Sequence, residues 1–217
     1  DAHIFCTLEQ IGEEVRSFLN MLEESYQIFT FDKPRFSLSL RPAKRVGTDE
    51  MWDLAEQSLE KILSESGHSY QTISGEGAFY GPKIDIFVPD ALGREWQLGT
   101  VQLDFSLPER FNLEYAAETG GREKVVVIHR AMLGTLERFL GVLIEHLGGM
   151  FPTWLAPIQT IVIPIADRHE QYASEVSENL NKMGIRSNLN NSKERMNSKI
   201  NHILMIVINR EMVVIRN

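Results

Sequence analysis

The chain has 217 residues, 43% hydrophobic and 24% charged, with a net charge of −8 and a single cysteine. That length holds one large domain or a medium and a small one, the composition is that of an ordinary globular protein, and the acidity argues against a chain that simply coats nucleic acid. No apolar run approaches the roughly 20 residues of a membrane span. DAHIFCTLEQ has neither the basic start nor the apolar core of a signal peptide, and lone Cys6 excludes an internal disulfide, so a cytoplasmic, membrane-free protein is the expectation.

In chain order, Thr7 followed by Gln10 forms a capping box, and Ile11, Val15, Phe18, Leu22 and Tyr26 recur at helical spacing. In KPRFSLSLRP, Phe36, Leu38 and Leu40 alternate as on a half-buried strand. A second helix is predicted from Thr48-Asp49, with Met51, Leu54, Ala55, Leu59 and Ile62 on one face, ending near Gly67. Strands over Lys83–Pro89 and Arg94–Phe105 are joined so closely that they must be antiparallel neighbours. A strand over Lys124–Met132 and a helix over Thr135–Leu147 follow. Antiparallel strands with helices stacked against them make an α+β domain.

The stretch from Gly148 to Pro157 combines glycines, prolines and Trp154 and marks a domain boundary, giving domains 1–153 and 154–217. Beyond it the pattern is strand Gln159–Ile165, helix Arg168–Met183, strand Ile185–Leu189, helix Ser192–Ile200 and strand Leu204–Ile208: a small α/β domain with partly parallel strands. Its final apolar runs follow one another almost without turn residues, so either the sheet edge is abbreviated or residues are missing from this run. Residues 156–217 carry 8 Lys and Arg against 6 Asp and Glu, whereas residues 1–155 carry 14 against 24. The C-terminal third is thus the less repulsive surface for RNA, although Arg41, Lys44 and Arg45 offer local basic points for phosphates.

Several segments point to chemistry. The glycine-rich loop Gly75–Lys83 lets a ligand approach the backbone, and Lys83 supplies a point charge for phosphate or carboxylate; a strand follows it, which excludes a P-loop. The competing reading is a hairpin arm with an exposed lysine. Thr100, Gln102 and Asp104 share one strand face, either a polar pocket floor or a solvent-facing side; Gln97 joins that face only through a bulge. His129 emerges at the end of a buried apolar run. His3 and Cys6 cannot both bind one ion if their segment is a strand, because positions three apart point to opposite faces. Arg138 sits in the first helical turn after Gly134, where the helix dipole disfavours a cation, and this favours a ligand-facing role.

Read together, DAHIFCT, LRPAKRVGTDEMW, GEGAFYGPKID, QLGTVQLDFSLPERF, IHRAMLGTLERF and FPTWLAPIQ resemble, in order, segments of the threonyl-tRNA synthetase family of class II aminoacyl-tRNA synthetases. The resemblance implies an antiparallel sheet flanked by helices, then an anticodon-binding α/β domain. It implies a threonine–tRNA ligase that forms threonyl-adenylate from threonine and ATP and transfers it to tRNA(Thr), working as a homodimer. It places a zinc ion on His3 and His129, and Asp1, Tyr80 and Gln102 around threonine. It sets Lys83 near the phosphate, and Gln97, Thr100 and Arg138 on ATP carrying Mg²⁺; Lys83 and Arg138 are the catalytic pair. A third zinc ligand, a cysteine, and the first two class II signature motifs would precede Asp1, so this chain is expected to be part of a longer synthetase. The alternative is a truncated, non-catalytic synthetase-like module that holds RNA or a partner protein.

Overall fold

The computed structural model describes residues 2–31, 34–118, 120–206 and 211–215. The chain divides into two compact units, Asp1–Leu143 and Ile144–Asn217.

The first unit begins with strand β1 (Ala2–Cys6) and helix α1 (Ile11–Ile28), followed by strand β2 (Arg35–Ser39) and helix α2 (Asp49–Ser66). Strands β3 (Tyr70–Ile73), β4 (Lys83–Pro89) and β5 (Glu95–Asp104) come next, then the short helix α3 (Ser106–Arg110). A hairpin of β6 (Glu114–Ala116) and β7 (Arg122–Lys124), strand β8 (Val126–Ala131) and helix α4 (Leu136–Leu147) follow. Its principal sheet has the order β1-β8-β5-β4-β2-β3, antiparallel except where β3 runs parallel to β2.

The helices form where periodicity and caps coincide. Helix α1 buries Ile11, Val15, Phe18, Leu19, Leu22 and Tyr26, an apolar stripe at helical spacing. Its capping box is half made: Gln10 Oε1 accepts from Thr7 N at 2.9 Å, but Thr7 Oγ1 turns to Glu9. Helix α2 is capped by Thr48 Oγ1 on Met51 N and stopped by Gly67 in the left-handed conformation. Its buried face is Trp52, Ala55, Leu59, Ile62 and Leu63, whereas Leu54, expected inside, is exposed.

The sheet has one apolar and one polar side over its central strands. Ile84, Ile86, Val101, Leu103, Val126 and Ile128 are fully buried, each such side chain stabilising the fold by about 1.5–3 kcal/mol. Gly99 lies against Leu22 of α1, and the Tyr26 hydroxyl donates to Met132 O at 2.9 Å, so α1 covers this face. Strand β2 departs from the half-buried expectation: Ser37 and Ser39 are buried along with Phe36 and Leu38, so both faces of this strand, interior to the sheet between β3 and β4, are covered.

The second unit is a parallel sheet of order β10-β9-β11, where β9 is Thr160–Pro164, β10 is Ser187–Leu189 and β11 is Glu211–Ile215. Helix α5 (Glu170–Lys182) connects β9 to β10, and α6 (Met196–Ile206) precedes β11. The tail departs from the sequence reading. Helix α6 runs later than Ser192–Ile200 and takes in Leu204–Ile206, while the last strand falls at Glu211–Ile215; Val207 and Ile208 lie outside the described residues. An apolar run without alternation does not distinguish a buried helix from a buried strand.

Candidate active site

Strand register assembles the site. Ser39, Lys83, Gln102, His129 and His3 are successive cross-strand partners on β2, β4, β5, β8 and β1, so their side chains share one face in a single row. Asp85 and Thr100 form the adjacent row. Gln97 reaches the same face because the β4–β5 register shifts beside Ile86, with Ile86 opposite Gly99 but Phe87 opposite Gln97. The bulge that Gln97 required is present.

Over this floor lies a cleft of about 400 Å³. Tyr80, Gln97, Thr100, Gln102, His129 and Arg138 line it. Lys83 and His3 stand in the row beside them, and Asp1 lies outside the described residues. The loop before β4 is pinned to the sheet: Gly77 N donates to Leu40 O at 2.8 Å, and a Cβ at Gly81 would fall 1.7 Å from Leu103 O. Lys83 is therefore no loose hairpin lysine; its ammonium donates to Asp85 Oδ2 at 2.6 Å.

The polar groups form a chain. Tyr80 OH donates to Gln102 Oε1, Gln102 Nε2 to Thr100 Oγ1 at 3.3 Å, and Thr100 Oγ1 to Asp85 Oδ1 at 3.0 Å. Gln97 Nε2 also donates to Asp85 Oδ1, at 2.7 Å. Burial, and then the carboxylates of Asp104 and Asp85, push the Tyr80 phenol above its ordinary pKa. Arg138 Nη1 donates to Gln97 O at 3.0 Å, and Thr135 Oγ1 caps Arg138 N at 3.2 Å, holding the guanidinium at the cleft wall.

At the other end of the row, the rings of His3 and His129 are 4.6 Å apart at 78°. His129 Nε2 meets Asp104 Oδ2 at 2.9 Å, while Asp104 Oδ1 accepts from Ser106 N and Leu107 N. This buried carboxylate fixes the orientation of His129, as carboxylates behind metal-binding imidazoles do. Two imidazoles on adjacent positions fit two donor positions of one zinc ion. No group of three or more His, Cys, Asp or Glu able to hold a metal occurs among the described residues. Cys6 is on the opposite face of β1 from His3, buried, its thiol pushed up to about 11 by burial and then by Glu14.

Asp85 was not singled out from sequence. The alternation Lys83-Ile84-Asp85-Ile86 carried the signal, since it sets Asp85 on the Lys83 face. Arg41 and Arg45, offered as local basic points for phosphates, are ion-paired: Arg41 with Glu56 and Asp53, Arg45 with Asp49.

Residues 1–147 match the family described as tRNA synthetase class II core domain (G, H, P, S and T), and residues 159–214 match the anticodon binding domain family. The chain is 52% identical over 205 residues to a threonine–tRNA ligase of Nitrosococcus oceani, covering 94% of this chain and 32% of that protein. It is 46% identical over 200 residues to the Aquifex aeolicus threonine–tRNA ligase, covering 92% and 31%. A crystal structure of the RNA binding domain of threonyl-tRNA synthetase from Cryptosporidium parvum Iowa II superposes with a TM-score of 0.92 at 42% identity, over 98% of this chain and 53% of that one. The chain thus spans about a third of the length of the curated relatives it matches.

Proposed function

Since the chain belongs to the class II aminoacyl-tRNA synthetases of the G, H, P, S and T group, we propose that it carries the second part of the catalytic unit of a threonine–tRNA ligase, residues 1–153, followed by an anticodon-binding domain, residues 154–217. The observation that carries this reading is the single row Lys83–Gln102–His129–His3, with Tyr80, Gln97, Thr100 and Arg138 around the cleft above it. Such a row, with an ammonium toward one end and two imidazoles at the other, supports a phosphate at the first and a metal at the second.

In this reading Gln97, Thr100 and Arg138 hold ATP, the planar Arg138 guanidinium stacking on the base in a way a lysine cannot. Lys83 meets the α-phosphate, and Mg²⁺ accompanies the nucleotide. Tyr80 and Gln102, with Asp1, surround threonine. The threonine carboxylate attacks the α-phosphorus and pyrophosphate leaves; the terminal ribose hydroxyl of tRNA(Thr) then attacks the acyl carbon and AMP leaves. Positioning and electrostatic stabilisation by fixed side chains supply most of the rate.

His3 and His129 would hold zinc, with Asp104 orienting His129. Bound there, zinc supplies coordination to the amino and hydroxyl groups of threonine. A site that engages a hydroxyl directly rejects an isostere lacking it by about 10⁴–10⁵, which an apolar pocket cannot do against valine. A cytoplasmic homodimer completes the reading; no helix among the described residues is long and apolar enough to cross a membrane.

The test is ATP–pyrophosphate exchange on the intact gene product. The expected result is exchange that depends on threonine, is weaker with serine, is absent with valine, and is lost in Arg138→Ala. Folded protein with no threonine-dependent exchange would overturn the ligase reading in favour of a non-catalytic, RNA-holding module.

A further inference from the structure

We infer that Asp85 is the positioning residue that orders the nucleotide side of the cleft, an inference that rests on the ATP reading of that cleft. Asp85 is 4% exposed, and both carboxylate oxygens are engaged by side chains of the site. Oδ1 accepts from Gln97 Nε2 at 2.7 Å and Thr100 Oγ1 at 3.0 Å; Oδ2 accepts from Lys83 Nζ at 2.6 Å. A buried carboxylate is costly unless it is paired and hydrogen-bonded, and here every bond that offsets the cost comes from a residue assigned to ATP.

A carboxylate present only to neutralise Lys83 would need one oxygen. Asp85 uses the second to hold Gln97, whose amide would otherwise rotate freely on a bulged stretch of β5, and Thr100, whose hydroxyl also accepts from Gln102. One side chain therefore couples the phosphate-side cation to the nucleoside-side pair. Among the side-chain hydrogen bonds of the described residues, nothing else joins Gln97 to Lys83. Preorganisation of this kind acts on affinity because fewer rotamers are lost when the ligand arrives.

Two variants separate the roles. Asp85→Asn keeps an acceptor for Gln97 and Thr100 but cannot ion-pair with Lys83; Asp85→Ala keeps neither. The experiment uses the intact gene product, with adenosine as the probe so that no phosphate charge enters, alongside ¹⁵N spectra of the Gln97 side-chain amide and the Lys83 ammonium. The expected result is adenosine affinity within threefold of the parent in Asp85→Asn and about tenfold weaker in Asp85→Ala. The Gln97 amide should remain dispersed in the first and collapse to a free-glutamine position in the second, and the Lys83 ammonium signal should be lost in both. An undisturbed Gln97 amide and unchanged adenosine affinity in folded Asp85→Ala would overturn the inference. Should the parent chain bind no adenosine, the nucleotide reading fails, and the inference with it as a statement about ATP; the spectra then still decide whether Asp85 orders Gln97 and Lys83. If Asp85→Ala does not fold, Asp85→Asn decides: a retained Lys83 ammonium signal there overturns the inference.

Discussion

His3 and His129 face each other directly across antiparallel strands β1 and β8, their rings 4.6 Å apart and nearly perpendicular. They are far apart in the chain, and only pairing of the first strand with β8 brings them together. His129 is fixed by Asp104 on the neighbouring strand β5, whereas His3, on the edge strand, is exposed.

This arrangement predicts metal content. Elemental analysis of the intact gene product should find about one zinc per chain, and either His3→Ala or His129→Ala should lose it, since removing one of few ligands costs most of the affinity. Asp104→Asn should retain folding but bind zinc about 10–100-fold more weakly, as loss of an orienting partner does. Zinc retained in His129→Ala would exclude this pair as the ligands.

The loop that carries Tyr80 depends on one close approach. Gly81→Ala would drive a methyl group into Leu103 O, a backbone atom that cannot yield by rotating, and should destabilise the protein by about 3 kcal/mol. Gly75 lies in the same loop at φ 85°, and a methyl group there would meet nothing within 4 Å. Gly75→Ala should therefore cost only the strain of the left-handed conformation, about 1–2 kcal/mol. Urea midpoints of the two variants check the order; equal losses would refute it.

Much of this architecture is written locally. The stripes Ile11–Val15–Phe18–Leu22–Tyr26 and Ala55–Leu59–Ile62 identify α1 and α2, and the alternation Thr100–Gln102–Asp104 puts three polar residues on one strand face without saying whether that face is a floor or open to solvent. What sequence could not supply is burial and long-range register. Asp85 alternates with Ile84 and Ile86 as any solvent-facing acid would, and only the tertiary cover makes it a hub. The row through Lys83, Gln102, His129 and His3 depends on pairings between distant strands. Strand β3, Tyr70–Ile73, lacks any alternation and forms by lying parallel to β2. The hairpin β6–β7 is equally short and carries no pattern that would announce it.

Cys6 should be chemically silent in the native protein. Its thiol is buried and pushed up to about 11, so at pH 8 only about one molecule in a thousand is thiolate. Iodoacetamide at pH 8 should modify it slowly in buffer and rapidly in about 6 M guanidinium, where the fold is lost. Fast native labelling would show that β1 leaves the sheet edge.

Asp90 should set part of the acid sensitivity. It sits in the turn joining β4 to β5, where its carboxylate accepts from Leu92 N, Arg94 N, Arg94 Nε and Trp96 Nε1 at 2.6–3.0 Å. Burial alone would raise its pKa; the bonds from the Trp96 indole, from Arg94 and from Leu92 more than reverse this and hold it well below the usual carboxylate range. A group depressed in the folded state contributes stability that is fully present above its unfolded pKa and lost as pH falls from there through the folded value. The unfolded value is about 3.9, so the contribution is complete at neutral pH and begins to fail below about pH 4. Asp90→Asn, which replaces one acceptor oxygen by a donor facing Arg94 or Trp96, should therefore melt lower than the parent at pH 7. The difference should narrow steadily below about pH 4, as the parent's own carboxylate loses its advantage. Thermal melts of the two proteins from about pH 7 to about pH 2.5 measure this directly, and a gap that stays constant over that interval would mean that the turn is held by backbone geometry rather than by the charge on Asp90.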